Sequence, residues 1–361
     1  MGVIHMNKVE QSIQLQNIAC KNRLIRSAVH SFLGNPDGTM TEAEYQMYDT
    51  LAKNQVGMII TGHCHVSPDG QANEEQIAIY DDRYIPQFAR AAKIVQAQNA
   101  RFIVQISHAG PRAIHNEDLT DVTARDLKKN RQARMLTLAE IETIRRQFID
   151  AAVRLQKAGV DGIQLHAAHS YLLSRFLDET FNQREDCYGG SRENRFRLCR
   201  EIITGIKKAC GQDFPVLIKI NSDSKTNDES YAEDLLYMLG QCKELGVELV
   251  ECSGVDFISQ EKSARLYYLE RTAAVRRQAD IPVSLVGGIR TLEEMETVLS
   301  SGIDMVSLAR PLICEPDIFP KLLAGQDESR CLSCNKCFAL PHIRPGMRCI
   351  WQRKLQKKEK E

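Results

Sequence analysis

The sequence predicts an α/β fold of one closed (β/α)8 TIM barrel, followed by a short cysteine-containing C-terminal extension. Three observations lead there. A short join from helix to strand recurs along the chain, each copy carrying a glycine. About eight strand–helix units fill roughly 300 residues, which suits a barrel better than an open doubly wound sheet. No Gly-x-Gly-x-x-Gly follows the first strand, which counts against a dinucleotide-binding sheet.

The elements follow in order. Leu24–Ala28 is a first short apolar strand. Gln55-Val-Gly57-Met-Ile-Ile-Thr61 is the loosest copy of the join and carries the second strand. Arg101–Gln105 is the third. Thr137 and Glu140 then stand at the spacing of a capping box. Ile141, Ile144, Phe148, Ala152 and Leu155 follow at helical period. That helix stops at Gly159, where a left-handed residue past the last turn favours glycine. The run to Leu165 reads as a fourth strand, buried on both faces. Pro215–Ile220 is the fifth. The joins at Gly246 and Gly302 introduce the sixth and eighth, and Val283–Val286 is the seventh. Thr291 and Glu294 repeat the capping-box spacing before the helix that ends at Gly302. Residues 1–325 are therefore expected to form the barrel. Residues 326–361 are expected to form a cysteine-rich extension ending in a lysine-rich tail, with the last ten residues mobile. No linker marks a second domain.

Composition narrows the function classes. Hydrophobic residues make up 43% and charged residues 26%, the balance of a soluble globular chain. Lys+Arg and Asp+Glu are both 47, so nothing favours nucleic acid or an acidic membrane. No apolar run approaches the roughly 18 residues of a membrane span, and the first residues lack the apolar core of a secretory signal. A cytoplasmic, reduced protein is expected. Most of its 12 cysteines are then thiols or ligands rather than disulfides. Eight are scattered, among them Cys20, Cys64 and Cys199, and read as small buried hydrophobes.

In a barrel the chemistry collects at the C-terminal ends of the strands. Gln105 to Gly110 follows the third strand and His166-Ala-Ala-His169-Ser-Tyr171 the fourth. Lys219-Ile-Asn221 closes the fifth, Gly287-Gly288 follows the seventh, and Ala309-Arg310-Pro311 the eighth. Gly287-Gly288 reads either as a tight turn or as a phosphate site, and the loops after strands seven and eight commonly make one. Arg310 would be a bidentate partner for the phosphate. Lys219 lies in an apolar run, so its side chain is expected to point into the barrel mouth, where it needs an anionic partner. His166 and His169 lack the third ligand of a helix-borne zinc motif. They read either as unrelated polar residues or as two donors converging on one substrate oxygen. Tyr171 keeps a proton to give at neutral pH.

Taken together, these segments resemble the Old Yellow Enzyme family of FMN-dependent ene-reductases. The chain is similar in particular to the branch that includes the N-terminal FMN barrel of 2,4-dienoyl-CoA reductase. The resemblance runs from about Asn22 to Ile313. Its motifs are NRLIRSAV (22–29), GMIITGHCHVSPDGQA (57–72), QISHAG (105–110), HAAHSYLLSRFLD (166–178), FNQREDCYGGSRENR (181–195), GGIR (287–290) and LARPL (308–312). It implies an NAD(P)H:flavin oxidoreductase that reduces the C=C bond of α,β-unsaturated carbonyl compounds, with hydride from flavin N5 and a proton from a tyrosine. Ser27, Ala28 and Val29 would line one flavin edge, and Gly62 and Gln105 would meet the pyrimidine ring. Lys219 would face N1 and O2. Gly287, Gly288, Ala309 and Arg310 would hold the phosphate. His166 and His169 would bind the substrate carbonyl, and Tyr171 would protonate the α-carbon. NADH or NADPH would be the hydride donor, and a homo-oligomer is compatible with the family. The chain departs from the pattern at Arg112, which follows Pro111 rather than the glycine, at Asn221 in place of a serine, and at His30 and Phe32.

Cys331, Cys334 and Cys337 are each two residues apart, and Cys349 follows after eleven more. This set suits [4Fe–4S] binding, four-cysteine zinc, or a vestigial thiol cluster. In the dienoyl-CoA reductases a similar set binds an iron–sulfur cluster fed by a second flavin domain. Here the third cysteine is one residue closer, and the chain ends at Glu361 before such a domain. The alternative enzyme is thus an iron–sulfur flavoprotein fed by a separate donor. The alternative of another class is a non-catalytic flavin- or metal-binding barrel.

Overall fold

The computed structural model describes residues 6–127, 130–224, 229–338 and 346–351. Its barrel strands are β1 (Leu24–Arg26), β2 (Met58–Ile60), β3 (Arg101–Ser107), β4 (Gly162–Ala167), β5 (Val216–Asn221), β6 (Leu249–Ser253), β7 (Val283–Val286) and β8 (Met305–Leu308). Every neighbouring pair is parallel, and the ring closes where β8 pairs with β1 and β3 with β4. The outer helices are α1 (Glu42–Lys53), α2 (Ile85–Gln96), α3 (Leu138–Lys157), the short α4 (Leu172–Leu177), α5 (Arg192–Cys210), α6 (Glu229–Glu244), α7 (Leu269–Ala279) and α8 (Leu292–Ser300). After β8 come α9 (Arg310–Cys314) and α10 (Ile318–Leu323). This is the expected (β/α)8 barrel.

Local chemistry sets the boundaries. Thr137 accepts the Glu140 N–H while Glu140 reaches back to the Thr137 N–H, and Thr291 and Glu294 do the same. Gly159, Gly246 and Gly302 take φ of +75°, +68° and +95°, as the joins require. The fourth join differs. There Gln55 adopts the left-handed conformation at φ +66°. Gly57 is needed for space instead: a Cβ on it would lie 2.2 Å from Asn22 Oδ1.

Alternation along the strands divides the core in two. Val216, Ile218 and Ile220 of β5 face outward into the shell beneath the helices. Leu217 faces inward, with Ile25, Met58, Ile60, Ile103, Leu249 and Met305, to make an apolar floor. Leu15, Ile18 and Cys20, on and beside the hairpin of Ile13–Gln14 with Ala19–Cys20, close it from below. Burying each such aliphatic side chain contributes about 1.5–3 kcal/mol. Above the floor the inward positions turn polar, and that layer carries the site. The proposed mobile tail lies outside the described residues. Among the described residues no helix is long and apolar enough to cross a membrane.

Candidate active site

Above the floor, parallel register sets partners side by side. Gln105 on β3 is paired with Gln164 on β4, and Gln105 Nε2 donates to Gln164 Oε1 at 2.7 Å. Lys219 on β5 is paired with Glu251 on β6, their side chains 3.2 Å apart. Gln164 Nε2 also donates to Glu251 Oε2 at 3.2 Å, and Lys219 Nζ donates to Ser27 Oγ at 2.8 Å. The buried lysine thus has its anionic partner within the barrel. Sequence alone missed Glu251, although a carboxylate inside the run Leu-Val-Glu-Cys raises the same burial question as Lys219.

A cavity of about 300 Å³ opens over this layer. Ser27, Ala28, Val29, Gln105, His166, His169, Tyr171, Lys219, Gly287, Gly288, Ala309 and Arg310 all line it. Gly62 does not. It sits behind the wall, where a Cβ would meet Val29 O at 2.9 Å and His30 Cα at 3.1 Å. Its role in the structure is close backbone approach.

One wall is aromatic. The ring centroids of His166 and Tyr171 are 4.6 Å apart, and those of His166 and His169 are 5.4 Å apart. His169 Nε2 lies 2.9 Å from Ser253 Oγ, and the His169 backbone N–H donates to Asn221 Oδ1 at 3.1 Å. The asparagine in place of serine therefore braces the His169 backbone, which is left-handed at φ +59°. Burial drives His166 and His169 well below the usual histidine range, helped by nearby positive charge that includes Lys219 and Arg112, so both rings are neutral. Burial raises the Tyr171 phenol, opposed by Arg112. Arg112 reaches this wall through the turn Gly110–Arg112, its guanidinium 5.5 Å from the Tyr171 ring centroid. His63, which sequence reading passed over, completes the wall with its ring 4.9 Å from that of Tyr171. His30 also lines the cavity, and Phe32 packs behind it at 4.0 Å.

The opposite end suits a phosphate. Gly287 and Gly288 have φ of +157° and +69°. A Cβ on either would strike Tyr267 and Tyr268 or the Leu266 backbone nitrogen within 2.9 Å. Arg310 donates to Asn335 Oδ1 at 2.7 Å and to Tyr267 Oη at 2.8 Å. Four buried polar atoms on cavity-lining residues, His30 Nε2, His166 Nδ1, Tyr268 Oη and Ser307 Oγ, have no partner. A ligand rich in ring nitrogens, carbonyls and phosphate oxygens would satisfy such atoms. The residues present therefore fit FMN.

Asn335 joins this end to the cysteines. Cys331, Cys334, Cys337 and Cys349 ring one small void together with a fifth thiol, Cys314, at the end of α9. Sequence spacing could not reveal Cys314, which lies 17 residues before the run. A hydrogen bond with Cys349 and burial raise the Cys314 thiol, and burial pushes Cys337 up to about 11. Among the described residues no group of three or more His, Cys, Asp or Glu is placed to hold a metal ion.

The closed parallel barrel with a polar cavity at the C-terminal ends of its strands defines the class as a barrel protein with an enzyme-like mouth. The NADH:flavin oxidoreductase / NADH oxidase family matches residues 10–328, and the chain belongs to that family. The chain is 33% identical over 340 residues to the NADH oxidase of Thermoanaerobacter brockii, covering 89% of this chain and 52% of that protein. It is 30% identical over 324 residues to the NADPH dehydrogenase of Bacillus subtilis (strain 168), covering 88% and 95%. A solved 2-naphthoyl-CoA reductase complex shares the fold with a TM-score of 0.88 at 24% identity, covering 95% of this chain and 56% of that one. The chain thus spans about half the length of the first of these relatives and nearly all of the second.

Proposed function

We propose that this enzyme is an ene-reductase, reducing the C=C bond of α,β-unsaturated carbonyl compounds at the expense of NADH or NADPH. The observation that carries the reading is the placement of His166, His169 and Tyr171 on one wall of the cavity whose far end is closed by Gly287, Gly288 and Arg310. Ser27–Val29, Gln105 and Lys219 would hold the ring system of FMN, and Gly287, Gly288, Ala309 and Arg310 its phosphate. Held there, FMN would supply the hydride chemistry between nicotinamide and alkene.

The chain's own residues do the rest. Neutral His166 and His169 each carry one N–H, and these N–H groups polarise the substrate carbonyl. Negative charge that grows on that oxygen meets fixed donors in a dry site, where they act most strongly. Lys219 supplies positive charge beneath the ring system. Tyr171, protonated at neutral pH, gives its proton to the α-carbon.

The visible spectrum tests this. A flavin spectrum should bleach with anaerobic NADPH and return on adding cyclohexenone. A colourless protein that cannot be reconstituted with FMN would refute the reading. A His166→Ala, His169→Ala double variant should keep FMN and lose enone binding.

A second reading is supported by the five thiols around one void. Four of them would have to draw closer together to hold an iron–sulfur cluster, since no three stand placed for a metal ion among the described residues, and such a cluster would take electrons from a separate donor. Iron and acid-labile sulfide analysis separates the two readings.

A further inference from the structure

We infer that Gln76, His63 and Tyr171 form a directed hydrogen-bond chain that leaves the Tyr171 proton free for the substrate and stabilises the phenolate left behind. The inference rests on Tyr171 being the proton donor proposed above. His63 and Gln76 are positioning residues, acting through Tyr171.

The direction of the chain is set at its far end. Gln76 is fully buried. The Ala72 backbone N–H donates to Gln76 Oε1 at 2.6 Å, so that atom must be the oxygen. Gln76 Nε2 donates to the His63 carbonyl at 3.1 Å, so that atom must be the nitrogen. Two backbone groups thus fix the amide, and its NH2 lies 2.7 Å from His63 Nδ1. An amide N–H cannot face a second N–H, so Nδ1 accepts. Ser107 Oγ, 3.3 Å from Nδ1, is a hydroxyl and can take either role, so the amide decides. Burial, together with the charges of His65 and Arg112, pulls His63 down to about 3, and the ring carries a single proton. That proton sits on Nε2.

Nε2 lies 3.3 Å from Tyr171 Oη. The imidazole donates and the phenol oxygen accepts, leaving the phenol's own hydrogen to point into the cavity. When the substrate's α-carbon takes that proton, the O–H bond breaks and a C–H bond forms. The negative charge moves from the substrate to the tyrosine oxygen. His63 keeps its proton and donates to the new phenolate, a charge-assisted bond stronger than the one it replaces. The Arg112 guanidinium over the ring adds positive charge. Water at the cavity mouth returns the proton to Tyr171. With the opposite tautomer, the phenol hydrogen would be tied to His63 and aimed away from the substrate.

Two measurements test the chain. In protein labelled with [15N]histidine, long-range proton–nitrogen correlation should show His63 as the Nε2–H tautomer. An Nδ1–H tautomer would overturn the inference. In anaerobic single turnover with cyclohexenone, His63→Leu should slow flavin reoxidation about 10-fold to 100-fold, and His63→Gln, whose amide keeps a donor, should recover most of it. In a Tyr171→Phe background His63→Leu should cost nothing more. Losses that simply multiply would mean that His63 only packs, and would overturn the chain while leaving the enone reading intact. A wild-type protein that carries FMN yet turns over no enone would refute the enone reading instead, and the tautomer would then decide on the chain.

Discussion

Lys219 and Glu251 face each other across adjacent parallel strands inside the barrel, with Nζ 3.2 Å from Oε2, and Glu251 is wholly buried. The other carboxylate oxygen, Oε1, has no partner. The carboxylate therefore holds the lysine in the polar layer and also offsets part of its charge. Glu251→Gln keeps the shape and removes the offset. Lys219 should then stabilise a reduced, anionic flavin more strongly, and the reduction potential of bound FMN should rise by tens of millivolts, on the order expected for one charge several ångströms away. Equilibration against a dye of known potential measures it. A shift to more negative potential would contradict this assignment.

Stability should fall steeply in mild acid. Burial drives His30, His166 and His169 well below the usual histidine range, His63 to about 3 and His65 to about 4. A histidine with a depressed folded value binds its proton more readily when unfolded. Stability is therefore complete above the unfolded value near 6.5 and is lost as pH falls below it. Each such ring contributes a slope approaching about 1.4 kcal/mol per pH unit. Denaturant midpoints at pH 7.5, 6 and 5 should show the decline, and His65→Gln should flatten it. A midpoint that does not move between pH 7.5 and 5 would contradict the buried, neutral state of these rings.

The sequence was more informative about backbone than about partners. The left-handed glycines at 159, 246 and 302 and the two capping boxes announce themselves because each depends on residues within a few positions. Lys219 could be placed inside the mouth from the apolar run that carries it. Its partner Glu251 could not, because register between strands is set by the closed ring and not by either segment. His63 and Gln76 are 13 residues apart and meet only because β2 and the loop after it fold back on themselves. Gly62 illustrates the converse: the motif is local, but what its missing side chain spares is the Val29 backbone in the loop after β1.

The glycine pair after β7 gives a sharper test of the phosphate end. Gly288 combines a left-handed φ of +69° with a Leu266 nitrogen 2.7 Å from any added Cβ. Gly288→Ala should cost about 1–3 kcal/mol from backbone strain alone. It should also weaken FMN binding at least tenfold by displacing residues 266–268. Fluorescence titration with FMN, alongside thermal melting, separates the two effects. Alanine tolerated with native melting and native FMN affinity would mean that this turn does not form the phosphate cradle.

The cysteines lead to a last prediction. Cys314 ends the helix that starts at Arg310, and Arg310 bonds Asn335 between Cys334 and Cys337, so the thiol site and the phosphate end share a frame. Five thiols exceed the four a cluster needs, and Cys314 is the one outside the terminal run. Anaerobic reconstitution with ferrous iron and sulfide should load the wild-type chain with about four irons and four sulfides if the second reading holds. Cys314→Ala should load equally, whereas Cys334→Ala should not. Since removing Cys334 leaves Arg310 and Asn335 in place, its FMN content should match wild type. A chain that takes up zinc stoichiometrically but no sulfide would replace the cluster with a structural metal. Uptake of neither would leave the thiols as a partly buried cap of small, weakly polar side chains on the barrel.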